Sequence, residues 1–116
     1  MSEIELGELA GRLGEVAVVD VRRLGEYDGS AGSACDPRQG HIPGALHLEL
    51  DVLLALPEAD VRERLGVPDG GEVVVYCHSG SRSAVAARVL RAQGYDARNY
   101  VGSWHEWSRT ELPLET

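Results

Sequence analysis

The run Glu72-Val-Val-Val-Tyr76, followed at once by Cys77 and a loop rich in Gly and Ser, constrains this chain more than any other stretch. An unbroken β-branched run suits a strand buried on both faces, the condition of an inner strand in a parallel sheet. Helical periodicity resumes at Arg82 and runs to Gln93, where Gly94 supplies the stop. Strand, tight loop and helix therefore follow one another over 72–93, and the rest of the chain repeats the alternation. Glu5 to Leu13 reads as an amphipathic helix with Leu6, Leu9 and Leu13 on one face. Glu15 to Val21 reads as a strand, Leu24 to Tyr27 as a helical turn, and the Gly, Ser and Asp of 28–37 as a surface loop. A short strand is expected over Ala45 to Leu48. Two helices should follow, one over Val52 to Leu56 capped by Asp51, the other from Pro57 as first helical residue to Leu65. Tyr95 to Val101 supplies a last strand and Ser103 to Trp107 a last short helix. Strands alternating with helices imply an α/β fold with a parallel sheet and helices on both faces.

The length, 116 residues, suits a single domain over 1–116 with a core sufficient without disulfides or a structural metal. The net charge of −8 opposes a phosphate backbone, so nucleic acid is not an expected ligand. No apolar run approaches a membrane span, and the acidic start lacks the features of a signal peptide, so a cytosolic setting is expected and no membrane partner. The two cysteines, Cys35 and Cys77, are not expected to pair in a reducing compartment. The four His (41, 47, 78 and 105) show no tight ligand spacing, and no Cys-x2-Cys exists, so neither a metal nor a cofactor is expected.

In open α/β sheets ligands gather beyond the carboxyl ends of the strands, which is where Cys77 falls. The following helix presents its positive N-terminus, the loop amides can converge on an anion, and Arg82 adds a full charge. All three should lower the Cys77 pKa and make it a nucleophile. Gly80 lets the backbone bend round the sulfur, and Ser79, Ser81 and Ser83 can donate hydroxyls. Asp20 ends a neighbouring strand and should lie near the loop, with Arg22 beside it. His78 can tune the charge of its neighbour, although its place in the loop suggests a side chain directed to solvent. His41 is read as shaping its turn and Trp104 and Trp107 as packing residues. Cys35 is either a solvent-facing or packing thiol, or a resolving thiol for Cys77.

Cys77-His-Ser-Gly-Ser-Arg-Ser-Ala84 resembles the active-site loop of the rhodanese family, Cys-x-x-Gly-x-Arg-Ser. Asp20-Val-Arg22 with Glu26-Tyr27, Gly40-His-Ile-Pro-Gly-Ala45 and Gly102-Ser-Trp-His-Glu-Trp107 are similar to the same family and stand in its order. Two of these stretches look like the catalytic second half of tandem-domain sulfurtransferases, and a first half is not expected. The resemblance implies a three-layer α/β/α fold around a five-stranded, mostly parallel sheet. It also implies a thiosulfate sulfurtransferase in which Cys77 takes the outer sulfur of a small anionic donor as a persulfide. Cyanide, a thiol or a sulfur-accepting protein then removes it. His78, Ser79, Gly80, Ser81 and Arg82 would bind the donor, with Asp20, Arg22 and Ser83 in support. Competing readings are a persulfide carrier, a non-catalytic binding module, and a phosphatase or arsenate reductase. Four residues separate Cys77 from Arg82, where the related phosphatases have five, and the shorter loop suits one extra sulfur.

Overall fold

The structure is a computed structural model that describes residues 3–116. Its strands are β1 (Glu3–Ile4), β2 (Ala17–Asp20), β3 (Leu46–His47), β4 (Glu72–Tyr76) and β5 (Asp96–Tyr100). Its helices are α1 (Leu6–Gly11), α2 (Leu24–Asp28), α3 (Leu50–Ala55), α4 (Glu58–Leu65), α5 (Ser81–Ala92) and α6 (Ser103–Trp107). The strands form one five-stranded sheet in the order β1-β5-β4-β2-β3. Every pairing is parallel, so the expectation of a mostly parallel sheet resolves to a wholly parallel one.

The Val run occupies the centre, with β2 on one side and β5 on the other. Alternation along β4 divides its side chains between two cores. Val73, Val75 and Cys77 enter a layer with Leu53 of α3, Val61 of α4 and Ala86, Ala87 and Leu90 of α5. Val74 and Tyr76 enter the opposite layer with Leu9 of α1 and Trp104 and Trp107 of α6. The three Val, Tyr76 and Cys77 are fully buried, which accounts for the absence of polar alternation in that stretch. Trp104 and Trp107 are the packing residues expected of them.

Several boundaries differ from expectation for identifiable reasons. β1 is absent from the sequence reading because two residues carry no period. The first helix ends at Gly11 rather than Leu13, within a Gly-containing stretch that reaches a left-handed turn at Gly14. α3 starts at Leu50 after Glu49, which places Asp51 inside the first turn instead of at the cap. Pro57 stands one position earlier than expected, at the N-cap of α4.

The register sets up the site. Asp20 lies beside Tyr76 across the β2–β4 pairing, so the ends of both strands reach the same edge as Cys77.

Candidate active site

Cys77 continues the alternation of β4, so its side chain turns toward the start of α5. The helix is capped by Gly80, which has no side chain to accept the free N–H groups of the first turn. The Cys77 sulfur fills that role. Its Sγ accepts from the Gly80 N–H at 3.1 Å, the Ser83 N–H at 3.4 Å and the Ser83 hydroxyl at 3.3 Å. Burial pushes the thiol pKa up, but the Ser83 hydroxyl and the amides of Ser83, Gly80 and Ser79 outweigh it and bring the pKa below its ordinary value. Hydrogen bonds to the charged form thus prevail over desolvation.

Two further contacts hold the loop in this shape. The amides of Trp104 and His105 donate to the carbonyls of Cys77 and His78, each at 2.9 Å, so α6 draws those carbonyls to itself. Ser103 accepts from the Cys77 N–H at 3.1 Å and donates to the Tyr100 carbonyl at 2.8 Å. It does so at φ 54°, a left-handed conformation that non-Gly residues seldom adopt. Nothing in the composition around Ser103 signals this.

Gly80 is required twice over. Its φ is +96°, and a Cβ there would stand 2.7 Å from the carbonyl oxygen of Val101. The Asn99 amide fixes the Gly80 carbonyl at 3.1 Å. Gly80→Ala is expected to cost about 2 kcal/mol or more in denaturant unfolding. Displacing the nearest amide should also raise the Cys77 pKa in a thiolate titration.

Arg82 occupies a different place from the one expected. Its guanidinium makes a two-point ion pair with Glu26 of α2 at 2.9 and 3.1 Å. The pair lines a cleft of about 710 Å³ with Arg23, Glu49 and Asp51. Arg82 therefore neutralises a carboxylate beside the cup, and the donors nearest the sulfur are amides and the Ser83 hydroxyl, with the Ser103 hydroxyl farther off at 4.0 Å. Ser81 is exposed at the first position of α5, and Ser79 is exposed in the loop. His78 is not simply solvated, because its Nε2 lies 3.0 Å from the Asp36 carboxylate.

Asp20 and Arg22 form a buried pair rather than a surface one, with side chains 0% and 1% exposed. Asp20 accepts from the Arg22 backbone N–H at 2.9 Å and from its guanidinium at 2.8 to 3.1 Å. The guanidinium also donates to the Gly40 carbonyl at 2.6 Å and lies over the Trp104 ring, 5.1 Å from its centroid. This pair ties the end of β2 to the turn at Gly40 and to α6. His41 stacks on Tyr27 at 3.7 Å, and its Nδ1 lies 2.7 Å from the Tyr27 carbonyl, the turn-shaping part expected of it.

Cys35 is exposed and Cys77 buried, and both are free thiols. The sequence reading gave no part to Asp36 or His105, or to Glu26 as the partner of Arg82. Each stands in a stretch already singled out, but what it touches is set by the packing of distant segments.

The sequence profile described as a rhodanese-like domain matches residues 5–110. A thiosulfate sulfurtransferase of Corynebacterium glutamicum is 33% identical over 130 residues, covering 96% of this chain and 43% of the relative. A crystal structure described as a probable thiosulfate sulfurtransferase superposes with a TM-score of 0.87 at 43% identity, over 99% of this chain and 48% of the other. The human single-domain sulfurtransferase TSTD1 superposes with a TM-score of 0.72 at 30% identity, over 96% of this chain and 98% of the other. The chain spans 36% to 43% of the length of the first curated relatives that it matches.

Proposed function

Because this chain belongs to the rhodanese-like domain family, we propose that it is a sulfurtransferase whose Cys77 carries sulfur as a persulfide. The observation that carries this reading is the buried Cys77 sulfur facing two amides and a hydroxyl. Such a cup favours the thiolate, which is the attacking form, and would favour an anionic persulfide in the same way. Thiosulfate supplies a matching donor. The Cys77 thiolate attacks its outer sulfur, the S–S bond breaks, and sulfite leaves with the electron pair. Cyanide or a thiol then attacks the outer sulfur of the persulfide and returns the thiolate. Splitting the transfer into two displacements lowers the barrier of each.

Within this proposal Gly80 and Ser83 hold the sulfur, Ser79 adds its amide, and His78 and Ser81 border the loop. Arg82 would bind an arriving dianion in competition with Glu26. Asp20 and Arg22 support the loop from beneath. The chain acts as one domain, and a reducing, cytosolic setting keeps the thiol available. No helix among the described residues is long and apolar enough to cross a membrane.

A protein acceptor is a second reading. It is favoured by a groove of about 600 Å³ that runs from Ser79 of the loop past Val101, Leu6 and Gly102. Val101 is an exposed apolar residue there, of a kind suited to a docking partner.

Intact-mass measurement after thiosulfate treatment tests the proposal. The expected result is a gain of one sulfur atom, removed by cyanide with release of thiocyanate. An unchanged mass under excess thiosulfate would exclude thiosulfate as the donor.

A further inference from the structure

Four donor side chains from three separate segments meet beside the active-site loop. Cys35 and Asp36 come from the loop after α2, His78 directly follows the nucleophile, and His105 comes from α6. One ligand atom from each lies within 4.8 Å of all the others. The Cys35 Sγ is 3.9 Å from His78 Nε2 and 3.7 Å from Asp36 Oδ1, and His78 Nε2 is 3.0 Å from Asp36 Oδ2. Around a tetrahedral zinc ion with ordinary Zn–S, Zn–N and Zn–O lengths, neighbouring ligand atoms stand roughly 3.3 to 3.6 Å apart. Small side-chain adjustments would bring the four to that spacing.

A second observation points to a ligand. The Asp36 side chain is 1% exposed, and its buried Oδ2 stands 3.0 Å from His78 Nε2 without the alignment of a hydrogen bond. The other oxygen, Oδ1, accepts from Arg109 at 3.0 Å and lies 3.2 Å from His78 Nε2. Arg109 also donates to the Cys35 carbonyl at 2.8 Å and so fixes the two-residue ligand segment. Ser33 places its hydroxyl 3.0 Å from the Cys35 sulfur. Outer contacts of this kind orient metal ligands. Arg109 is a cation close to the proposed ion, but it is bound to Oδ1 and leaves Oδ2 directed at the histidine.

We propose that Cys35, Asp36, His78 and His105 bind one divalent ion of the zinc type. Sulfur and imidazole donors with a single carboxylate select a borderline-soft metal over magnesium or calcium. On binding, the Cys35 S–H bond breaks, its proton passes to solvent, and the thiolate binds the ion. The two imidazoles bind through nitrogen lone pairs, and no electron is transferred. The spacing in sequence conceals the site, because the ligands come from positions 35 to 105 and only the fold gathers them. His78 adjoins Cys77, so a bound dication would act on the nucleophile's own loop.

Cobalt(II) titration of the full chain tests this directly. The expected result is one cobalt per chain with thiolate-to-cobalt charge-transfer and tetrahedral d–d bands, displaced by zinc. The charge-transfer band should vanish in Cys35→Ser, affinity should fall more than about tenfold in His105→Ala, and Cys77→Ser should still bind. Cys35 and His105 are exposed, so both variants should keep the wild-type circular dichroism. The absence of one-to-one binding would overturn the site. So would a band that survives in Cys35→Ser and disappears in Cys77→Ser, because the metal would then sit on the nucleophile.

Discussion

Cys77→Ser is expected to reduce thiosulfate-to-cyanide sulfur transfer more than about 1,000-fold while leaving the fold intact. The serine hydroxyl can accept from the Gly80 and Ser83 donors that now face sulfur, so the start of α5 keeps an acceptor. What disappears is the attacking thiolate and the atom that would carry the persulfide. Thiocyanate formation measures the rate, and intact mass after thiosulfate should show no added sulfur at position 77. The exposed Cys35 is not held by the cup, so it should not substitute for the nucleophile. Residual turnover above about a hundredth of the wild-type rate would assign the sulfur chemistry to another residue.

Asp20→Ala is expected to be the most destabilising of the substitutions considered, at about 3 to 5 kcal/mol. The reason is what remains behind. Arg22 is 1% exposed and would lose a two-point counter-ion, leaving a full charge among Tyr76, Trp104 and the Gly40 carbonyl. For a domain of this size the loss corresponds to a fall in melting temperature of more than about 10 °C. Adding Arg22→Met to Asp20→Ala should restore part of the loss, because the unpaired charge is then gone. A cost below about 1 kcal/mol for Asp20→Ala would mean that Arg22 finds solvent, and the pair would then not brace the loop.

How far the sequence reached depended on how local each determinant was. The inner strand, the loop and the helix over 72–93 were legible because burial, turn and cap are all encoded within a few residues of Cys77. The position of Cys77 at the strand end and the left-handed turn at Gly80 followed from the same stretch. Asp20 was placed correctly near the loop, since strand ends align in a parallel sheet, but the depth of its pair with Arg22 was not evident. Burial of that pair depends on Trp104 and the Gly40 turn, which lie far along the chain. The Arg82–Glu26 pair joins residues 56 positions apart, so the cation expected to face the sulfur was already committed elsewhere. The meeting of His78 with Asp36 spans 42 positions, and no spacing rule for metal ligands covers it. The two-residue β1 lies below the length at which alternation can be recognised.

The account rests on the ionisation of Cys77, and its sign is fixed by the site. A thiol whose pKa is lowered keeps its charge as pH falls, and loses it only when pH passes through the lowered value. Far-ultraviolet thiolate absorbance, read as the difference between the chain and Cys77→Ser, follows that titration directly. The prediction is a midpoint below that of a free cysteine measured under the same conditions, with thiolate persisting at pH where a free cysteine is protonated. A midpoint at or above that of a free cysteine would mean that burial outweighs the amides and the Ser83 hydroxyl, and would contradict the account.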